Sequence, residues 1–201
     1  MNVARKTQLP PNRRAGVTLV ELAMVLLLLG IAAALIIPSF EPNVASQLAS
    51  AAEMVAADMQ FVRSLAVSNN STYQVTLDTS SNEYAITHSG SNPTLDTLPL
   101  TMAYQRDTGG TRYLIPLNDT PKIGIGAQLL DALSGSPAAA IGSFEFDALG
   151  SPVPTGDVEI WLTAGSGDSR RYLPVVIHAA TGLATVGSLT ASAPVGATAP
   201  D

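Results

Sequence analysis

The sequence predicts an α+β fold in which a long, membrane-spanning N-terminal helix continues into an amphipathic helix that packs on a mainly antiparallel β-sheet head. Three observations support this prediction. A long, mainly apolar segment lies near the N-terminus, at residues 17–37. A helical apolar stripe follows it at residues 44–66. From residue 72 onward, short segments of alternating polar and apolar residues, typical of strands, fill most of the chain.

The apolar segment 17–37 has 21 residues and one charged side chain, Glu21. As a helix it would be about 32 Å long, close to the thickness of a hydrocarbon core. Four cationic side chains and no acidic one precede it: Arg5, Lys6, Arg13 and Arg14. The positive-inside rule then predicts that residues 17–37 are transmembrane, with the N-terminus in the cytoplasm and the rest of the chain outside.

A recognisable motif precedes and begins this segment: a basic leader, Gly16, and then Val17-Thr-Leu-Val-Glu21. It resembles the class III signal of type IV prepilins and type II secretion pseudopilins. The resemblance implies that residues 1–16 are a leader, which a prepilin peptidase removes between Gly16 and Val17 before methylating the new amine of Val17. It also implies that Glu21 is the glutamate needed for assembly. Val17 stands where the family most often has Phe, although other apolar residues occur there.

Two other interpretations of the segment were weighed. An ordinary secretory signal, cleaved near residues 32–34, would have an apolar region of 7 to 15 residues, and this segment is longer and contains Glu21. A plain single-span anchor accounts for the apolar length but not for Gly16 and Glu21 together.

Two prolines, Pro38 and Pro42, follow the apolar segment. Because each lacks a backbone donor and clashes with the preceding turn, we expect the helix to kink across them; Pro38 also matches a proline common in the resembled family. Apolar residues then recur at spacings of three and four, which predicts that helix extends to about residue 70. This stripe is interpreted as core and consists of Val44, Leu48, Ala51, Val55, Met59, Val62 and Ala66. Asp58 is among the polar residues predicted to lie outside it.

Residues 71–187 are predicted to form the β-rich head. A hairpin is expected around residues 79–82, and other strand segments are expected at 98–104, 113–117, 141–146, 158–162, 173–178 and 183–186, with a helical turn at 128–133. The tail, residues 188–201, consists mainly of small residues and proline and is predicted to be disordered.

Two short patterns in the head carry a second, narrower resemblance. Phe144-Glu-Phe-Asp-x-x-Gly150 and Thr181-Gly182, with the strands between them, resemble the FimT/GspH group of minor pilins and pseudopilins. The chain has no cysteine, whereas many major pilins have a C-terminal disulfide loop. The resemblance therefore points to a minor pilin or a pseudopilin.

Charge and residue types exclude several kinds of chemistry. Removal of residues 1–16 leaves six basic residues against 16 acidic ones, a net charge of −10, which disfavours nucleic acid as a partner. Arg170-Arg171 is the only basic pair in the mature chain. The lack of cysteine rules out thiolate metal sites and disulfides.

No cofactor, metal site or enzymatic activity is predicted. His88 and His178 are the only histidines, and neither has a second ligand at metal spacing. Asp147, Asp157, Glu159 and Asp168 fit turn carboxylates better than a calcium site. A Ser/His/Asp triad stays open, because its members need not be sequence neighbours, but no Gly-x-Ser-x-Gly motif is present.

The sequence and its resemblances therefore predict a non-enzymatic minor pseudopilin or pilin of a type II secretion system or type IV pilus. It would be a single-pass inner-membrane protein with a periplasmic head, in a periplasmic or surface filament. The expected partners are other pilins or pseudopilins through the N-terminal helix, the prepilin peptidase and the inner membrane. A DNA-uptake minor pilin and a membrane-anchored binding domain that does not assemble are the alternatives.

Overall fold

The computed structural model describes residues 18–36, 44–101, 104–119, 126–153 and 155–197. The chain forms two compact units, Met1–Pro42 and Asn43–Asp201. The described part of the first unit is one helix, α1 (Leu19–Ile36). The second unit contains helix α2 (Val44–Asn69) and two antiparallel sheets.

Helix α1 consists of 18 residues, all apolar except Glu21 and Gly30. Thr18 begins it as the N-cap, because its Oγ1 accepts the Glu21 N–H at 3.2 Å and its carbonyl accepts the Leu22 N–H at 3.1 Å. The side chains described in α1, at residues 19–32, are exposed. Within the described ranges, no helix combines the length and the apolar character needed to cross a membrane.

Several predictions for this unit fall outside the described residues. Gly16 and Val17 at the predicted cleavage site, and Pro38 and Pro42 at the predicted kink, are among them. Both ends of the predicted transmembrane segment 17–37 are also outside the described ranges. These assignments stay predictions.

Helix α2 has the predicted apolar stripe. Its buried positions include Leu48, Ala51, Ala52, Val55, Met59, Val62 and Ala66, and they pack mainly on the second sheet. Asp58 is buried too, contrary to its predicted place outside the stripe. The helix ends at Asn69. The next residue, Asn70, has a left-handed φ of 47°, which lets the Ser71 N–H bond back to the Ala66 carbonyl at 3.1 Å.

The first sheet has the strand order β3-β4-β2-β1-β7-β8, and the second has the order β11-β10-β9-β5-β6. The first is made of β1 (Tyr73–Asp78), β2 (Glu83–His88), β3 (Gln105–Arg106), β4 (Arg112–Pro116), β7 (Ser143–Phe146) and β8 (Pro152–Val153). The second is made of β5 (Gln128–Ser134), β6 (Ala139–Ala140), β9 (Val158–Ala164), β10 (Arg171–Ile177) and β11 (Ala184–Val186). Residues of α2 and of both sheets form one hydrophobic core.

These strands confirm the predicted hairpin, which is β1 and β2, and the predicted strands that correspond to β4, β7, β9, β10 and β11. The predicted helical turn at 128–133 is wrong: these residues form strand β5, paired with β9. The apolar run in this segment fits either structure, and pairing with β9 determines which one forms. No strand is described at residues 98–101, although Leu98 is buried and its N–H bonds to the Gly110 carbonyl at 2.9 Å.

The tail also departs from its prediction. Residues 188–197 are described, and Thr190 exchanges two backbone hydrogen bonds with Tyr172 of β10, at 2.8 and 2.9 Å. The free edge of β10 beyond β11 supplies these partners, so disorder does not hold for this part of the tail.

Asn82, in the β1–β2 turn, ties the two sheets together. Its Oδ1 accepts the Leu129 N–H at 2.6 Å, and its Nδ2 donates to the Ala127 carbonyl at 3.1 Å and to Asn118 Oδ1 at 2.5 Å. Its φ of 56° is left-handed, a conformation that Asn tolerates. The side chain therefore joins the first hairpin to the start of β5.

Candidate functional site

The N-terminal segment is the first candidate site. Thr18 and Glu21 have the Thr-x-x-Glu spacing of a capping box, and the bond from the Glu21 N–H to Thr18 Oγ1 fixes Glu21 in the first turn of α1. A carboxylate there interacts favourably with the helix dipole. Among the described residues, none pairs with the Glu21 carboxylate.

The two head motifs singled out in the sequence meet in space. Gly182 has a φ of 63°, and a Cβ at this position would overlap the carbonyl oxygen of Gly150. Asp147 Oδ1 holds the turn before Gly150 by accepting the N–H groups of Leu149 and Ser151, at 2.9 and 2.8 Å. Arg63 Nε of α2 donates to the Thr181 carbonyl at 2.8 Å. The motifs therefore form a junction between the end of α2 and a turn of each sheet.

We expect Gly182→Ala to destabilise the head by about 2 to 5 kcal/mol, because the left-handed φ and the overlap with Gly150 both oppose a side chain. Chemical denaturation of the head measures the change. Gly142→Ala is the matched control, since a Cβ at Gly142 meets nothing within 4 Å. Equal stability of the two variants would contradict the close approach of the two turns.

A buried carboxylate fastens α2 to the first sheet. Asp58 is 6% exposed, and it accepts hydrogen bonds from the hydroxyl of Tyr84 and, at 2.7 Å, from the hydroxyl of Tyr104. Phe61, one turn further along α2, stacks on Tyr104 with ring centroids 5.0 Å apart. The arrangement anchors the helix by two charge-assisted hydrogen bonds and an aromatic contact.

Titration of this cluster follows from its burial. Desolvation raises the pKa of Asp58, and the hydrogen bonds from Tyr84 and Tyr104 lower it by less. Desolvation is the largest cause that raises the pKa of Tyr104, and the hydrogen bond to Asp58 and the negative charge of Asp58 add to it. Desolvation is also the largest cause that raises the pKa of Tyr84, followed by the charge of Asp58 and the hydrogen bond to it. Both tyrosines therefore remain hydrogen-bond donors at physiological pH.

The raised pKa of Asp58 makes stability depend on pH. The native carboxyl holds its proton more tightly than the unfolded one, which titrates near its ordinary value of 3.8. The stabilisation that this proton contributes is present in full below pH 3.8 and is lost as the pH rises through the native pKa. We expect the unfolding free energy of the wild type to fall across this window relative to that of the Asp58→Asn variant. Parallel pH profiles from urea titrations of the two proteins would contradict this.

Ser71, His88 and Asp96 form a hydrogen-bonded chain with the atom order of a Ser/His/Asp triad. His88 Nε2 lies 2.7 Å from Ser71 Oγ, and His88 Nδ1 lies 2.7 Å from Asp96 Oδ1. The His88 side chain is fully buried. Gly90 lies directly against the serine: a Cβ at Gly90 would overlap Ser71 Oγ and come within 2.7 Å of His88 Nε2.

These contacts form a structural clasp. Gly90 packs against Ser71 Oγ, and the His88 side chain is buried. Neutral His88 can accept from the Ser71 hydroxyl, and protonated His88 can donate to it, so both states keep the contacts. The clasp joins the end of α2, the end of β2 and the turn that contains Asp96.

The other predicted site residues serve local structure. Asp157 Oδ1 accepts the Ala179 N–H at 2.8 Å, and Glu159 Oε2 accepts the Trp161 Nε1–H at 2.9 Å. Asp168 lies in the short helical turn Gly167–Ser169, and its carbonyl accepts a hydrogen bond from Arg171 Nη1 at 2.8 Å. In the described ranges, no group of three or more His, Asp or Glu residues could hold a metal ion.

One family model matches the N-terminal part of the chain. Residues 11–37 match the family described as the prokaryotic N-terminal methylation motif. The match confirms the prepilin-type signal that the sequence predicted. The described helices and antiparallel sheets confirm the predicted α+β fold.

Among solved structures, the chain is similar to two crystal forms of the type IV minor pilin FimU from Pseudomonas aeruginosa strain PAO1. One is 21% identical, with 75% of this chain and 95% of FimU covered and a TM-score of 0.43. The other is 23% identical, with 74% and 98% covered and a TM-score of 0.43. No curated protein matches the chain significantly.

Proposed function

We propose that the chain is a minor pilin or pseudopilin, which inserts in the inner membrane through α1 and assembles through the same helix into a type IV pilus or type II secretion filament. In this proposal the N-terminus is cytoplasmic and the head is periplasmic. The observation that carries it is the methylation motif at residues 11–37 on a helix that is apolar on every side.

The contrast between the two helices supports this role. Helix α2 has one buried face and one exposed polar face, as a helix on a globular core does. Helix α1 has no polar face, so all its sides favour an apolar environment. Lipid supplies that environment before assembly, and neighbouring helices supply it in a filament.

The processing step follows from the motif. The prepilin peptidase cleaves between Gly16 and Val17 and methylates the Val17 amine, which makes Thr18 the second residue of the mature chain. In the sequence, the N-cap residue Thr18 then directly follows the new N-terminal residue, and Glu21 comes three residues after Thr18. In a filament core of low dielectric, Glu21 is stable only when paired, and the amine of a neighbouring subunit is a suitable partner.

The test is to place a photo-crosslinking residue at Leu29 of α1 in the native host and to identify the adducts by mass spectrometry. We expect adducts with the N-terminal helices of other pilin-like proteins. Adducts with lipid alone would contradict assembly and favour a simple anchored domain.

The DNA-uptake alternative has its own assay. Binding of the head to duplex or single-stranded DNA at about 0.15 M salt, abolished by charge reversal of Arg170 and Arg171, would replace the filament role with DNA uptake. We expect no binding, because the mature chain is strongly acidic.

A further inference from the structure

The C-terminal segment 188–197, here called the strap, lies across the second sheet. At one end, Thr190 pairs with Tyr172 on the edge of β10. At the other end, Gly196 lies beside the β5–β6 hairpin: a Cβ at Gly196 would be 3.0 Å from the Ala138 carbonyl and 4.0 Å from Leu133 Cδ2. The strap therefore connects opposite corners of this sheet.

Geometry fixes its route over the face that is turned away from the core, here called the outer face. Leu133 pairs with Glu159 and Tyr172 pairs with Thr163, and neither Leu133 nor Tyr172 belongs to the core cluster although both are buried. From Tyr172 to Leu133 the diagonal crosses two strand spacings, β10 to β9 and β9 to β5, and four residues along the strand, about 16 Å. The strap spans it between Thr190 and Gly196, with a turn at its far end where the Ala197 N–H bonds to the Pro194 carbonyl at 3.4 Å.

The strap lies against buried apolar residues, although its own larger apolar side chains are exposed. Leu133, beside Gly196, is 2% exposed, and Tyr172, paired with Thr190, is 6% exposed. The two larger apolar side chains of the strap, Leu189 and Val195, are 44% and 93% exposed. The strap is therefore held in place by few apolar contacts, and its displacement exposes the apolar outer face.

A pocket of about 410 Å³ opens at the Gly196 end of the strap. Leu133 and Ala138, the two neighbours of Gly196, line it together with Asp157 and Glu159. The arginine pair lies at the other end of β10, where Arg171 Nη1 donates to two backbone carbonyls.

We propose that the outer face of the second sheet is a docking surface for an extended segment of a partner protein, and that the strap is displaced when the partner binds. The partner segment has an apolar centre, which replaces the strap over Leu133 and Tyr172. It carries a Lys or Arg side chain, which enters the pocket beside Asp157 and Glu159. A second copy of this chain is disfavoured as the partner by the net charge of −10 that remains once residues 1–16 are removed. This surface is separate from α1 and does not depend on filament assembly.

The cover is tested with the fluorescence of Trp161, the only tryptophan, in the full chain purified in detergent. Removal of residues 188–201 is expected to raise its acrylamide quenching constant by about twofold or more. Gly196→Val keeps the chain length but adds a side chain at a φ of 99° beside Ala138, and it should act in the same direction. Ala193→Val, at an exposed strap position, is the control and should change nothing. Unchanged quenching in both test variants would overturn the proposal.

The docking step is tested with two synthetic peptides, one alternating Val with Lys and one alternating Val with Glu. We expect the truncated protein to bind the Lys peptide about tenfold more tightly than the full chain does, and to discriminate against the Glu peptide. In the truncated protein, Asp157→Asn with Glu159→Gln should remove about tenfold of this affinity, whereas Glu53→Gln with Glu83→Gln should not. Equal binding of the two peptides, no gain on truncation, or no effect of the pocket variant would overturn the proposal.

Discussion

Glu21→Val is expected to abolish co-assembly of the chain with its pilin-like partners while leaving leader cleavage and membrane insertion intact. Removing a charge from α1 favours insertion, so an anchor that does not assemble tolerates the change. If Glu21 pairs with the amine of a neighbouring subunit, the substitution leaves that amine unpaired in the filament core. Breaking one side of a buried ion pair costs about 3 to 5 kcal/mol, enough to reduce association more than a hundredfold.

Three readouts in the native host separate these outcomes: the mass of the mature chain, its resistance to extraction from membranes, and crosslinking from Leu29. We expect Glu21→Gln, which keeps the size but not the charge, to lose the crosslinks as well. Leu22→Val, an apolar exchange at the next position, should keep them. Normal crosslinking by the Glu21→Val protein would count decisively against a role of this carboxylate in assembly.

Asp58→Ala is expected to have the largest effect on the stability of the head, about 3 to 5 kcal/mol. The substitution leaves the hydroxyls of Tyr84 and Tyr104 without their acceptor inside the protein, and an unsatisfied buried hydroxyl costs about 1 to 3 kcal/mol. It also removes packing between α2 and the first sheet. Urea denaturation of a fragment beginning at residue 44, which has its own core, measures the change.

Two further variants test the cause. Glu53→Ala, at an exposed position of the same helix, should change stability by no more than about 0.5 kcal/mol. Adding Tyr84→Phe and Tyr104→Phe to Asp58→Ala removes the unsatisfied hydroxyls and should restore part of the loss. A loss below about 1 kcal/mol for Asp58→Ala would mean that the cluster does not anchor α2.

Local patterns in the sequence were sufficient for the helices and for most strands. The apolar stripe of α2 and the alternation in β1 and β2 depend on residues within one element, so their period identifies them. The same reasoning placed Asp58 outside the core. A period reports hydrophobicity, and it cannot register that two tyrosines from distant strands supply the hydrogen bonds that make a buried carboxylate stable.

Contacts between distant segments account for the other differences. Residues 128–133 form a strand because β9 offers a pairing partner, and Asn82 reaches β5 from 47 residues away. The strap contains few apolar residues of its own, so its composition predicted disorder. Its order comes from the edge of β10 and from the surface near Leu133.

The candidate site likewise contains one part that a contiguous motif reveals and one part that only the fold brings together. The signal around Gly16, Val17 and Glu21 is contiguous, so the sequence alone carries it, and the match of residues 11–37 confirms the motif. The contact between Gly150 and Gly182 joins two turns that are far apart in the chain. Both glycines belong to the two head motifs, but their spacing in the sequence does not show that the two turns meet and that a side chain at Gly182 would overlap Gly150.

The most direct test of the central claim, that this chain is a processed pilin-like subunit, is the intact mass of the protein isolated from its native host. The account predicts a chain that begins at Val17, lacks residues 1–16 and carries one methyl group on its N-terminal amine. A chain that keeps its leader, or one cleaved after Ala34 as an ordinary secretory signal would be, would contradict it.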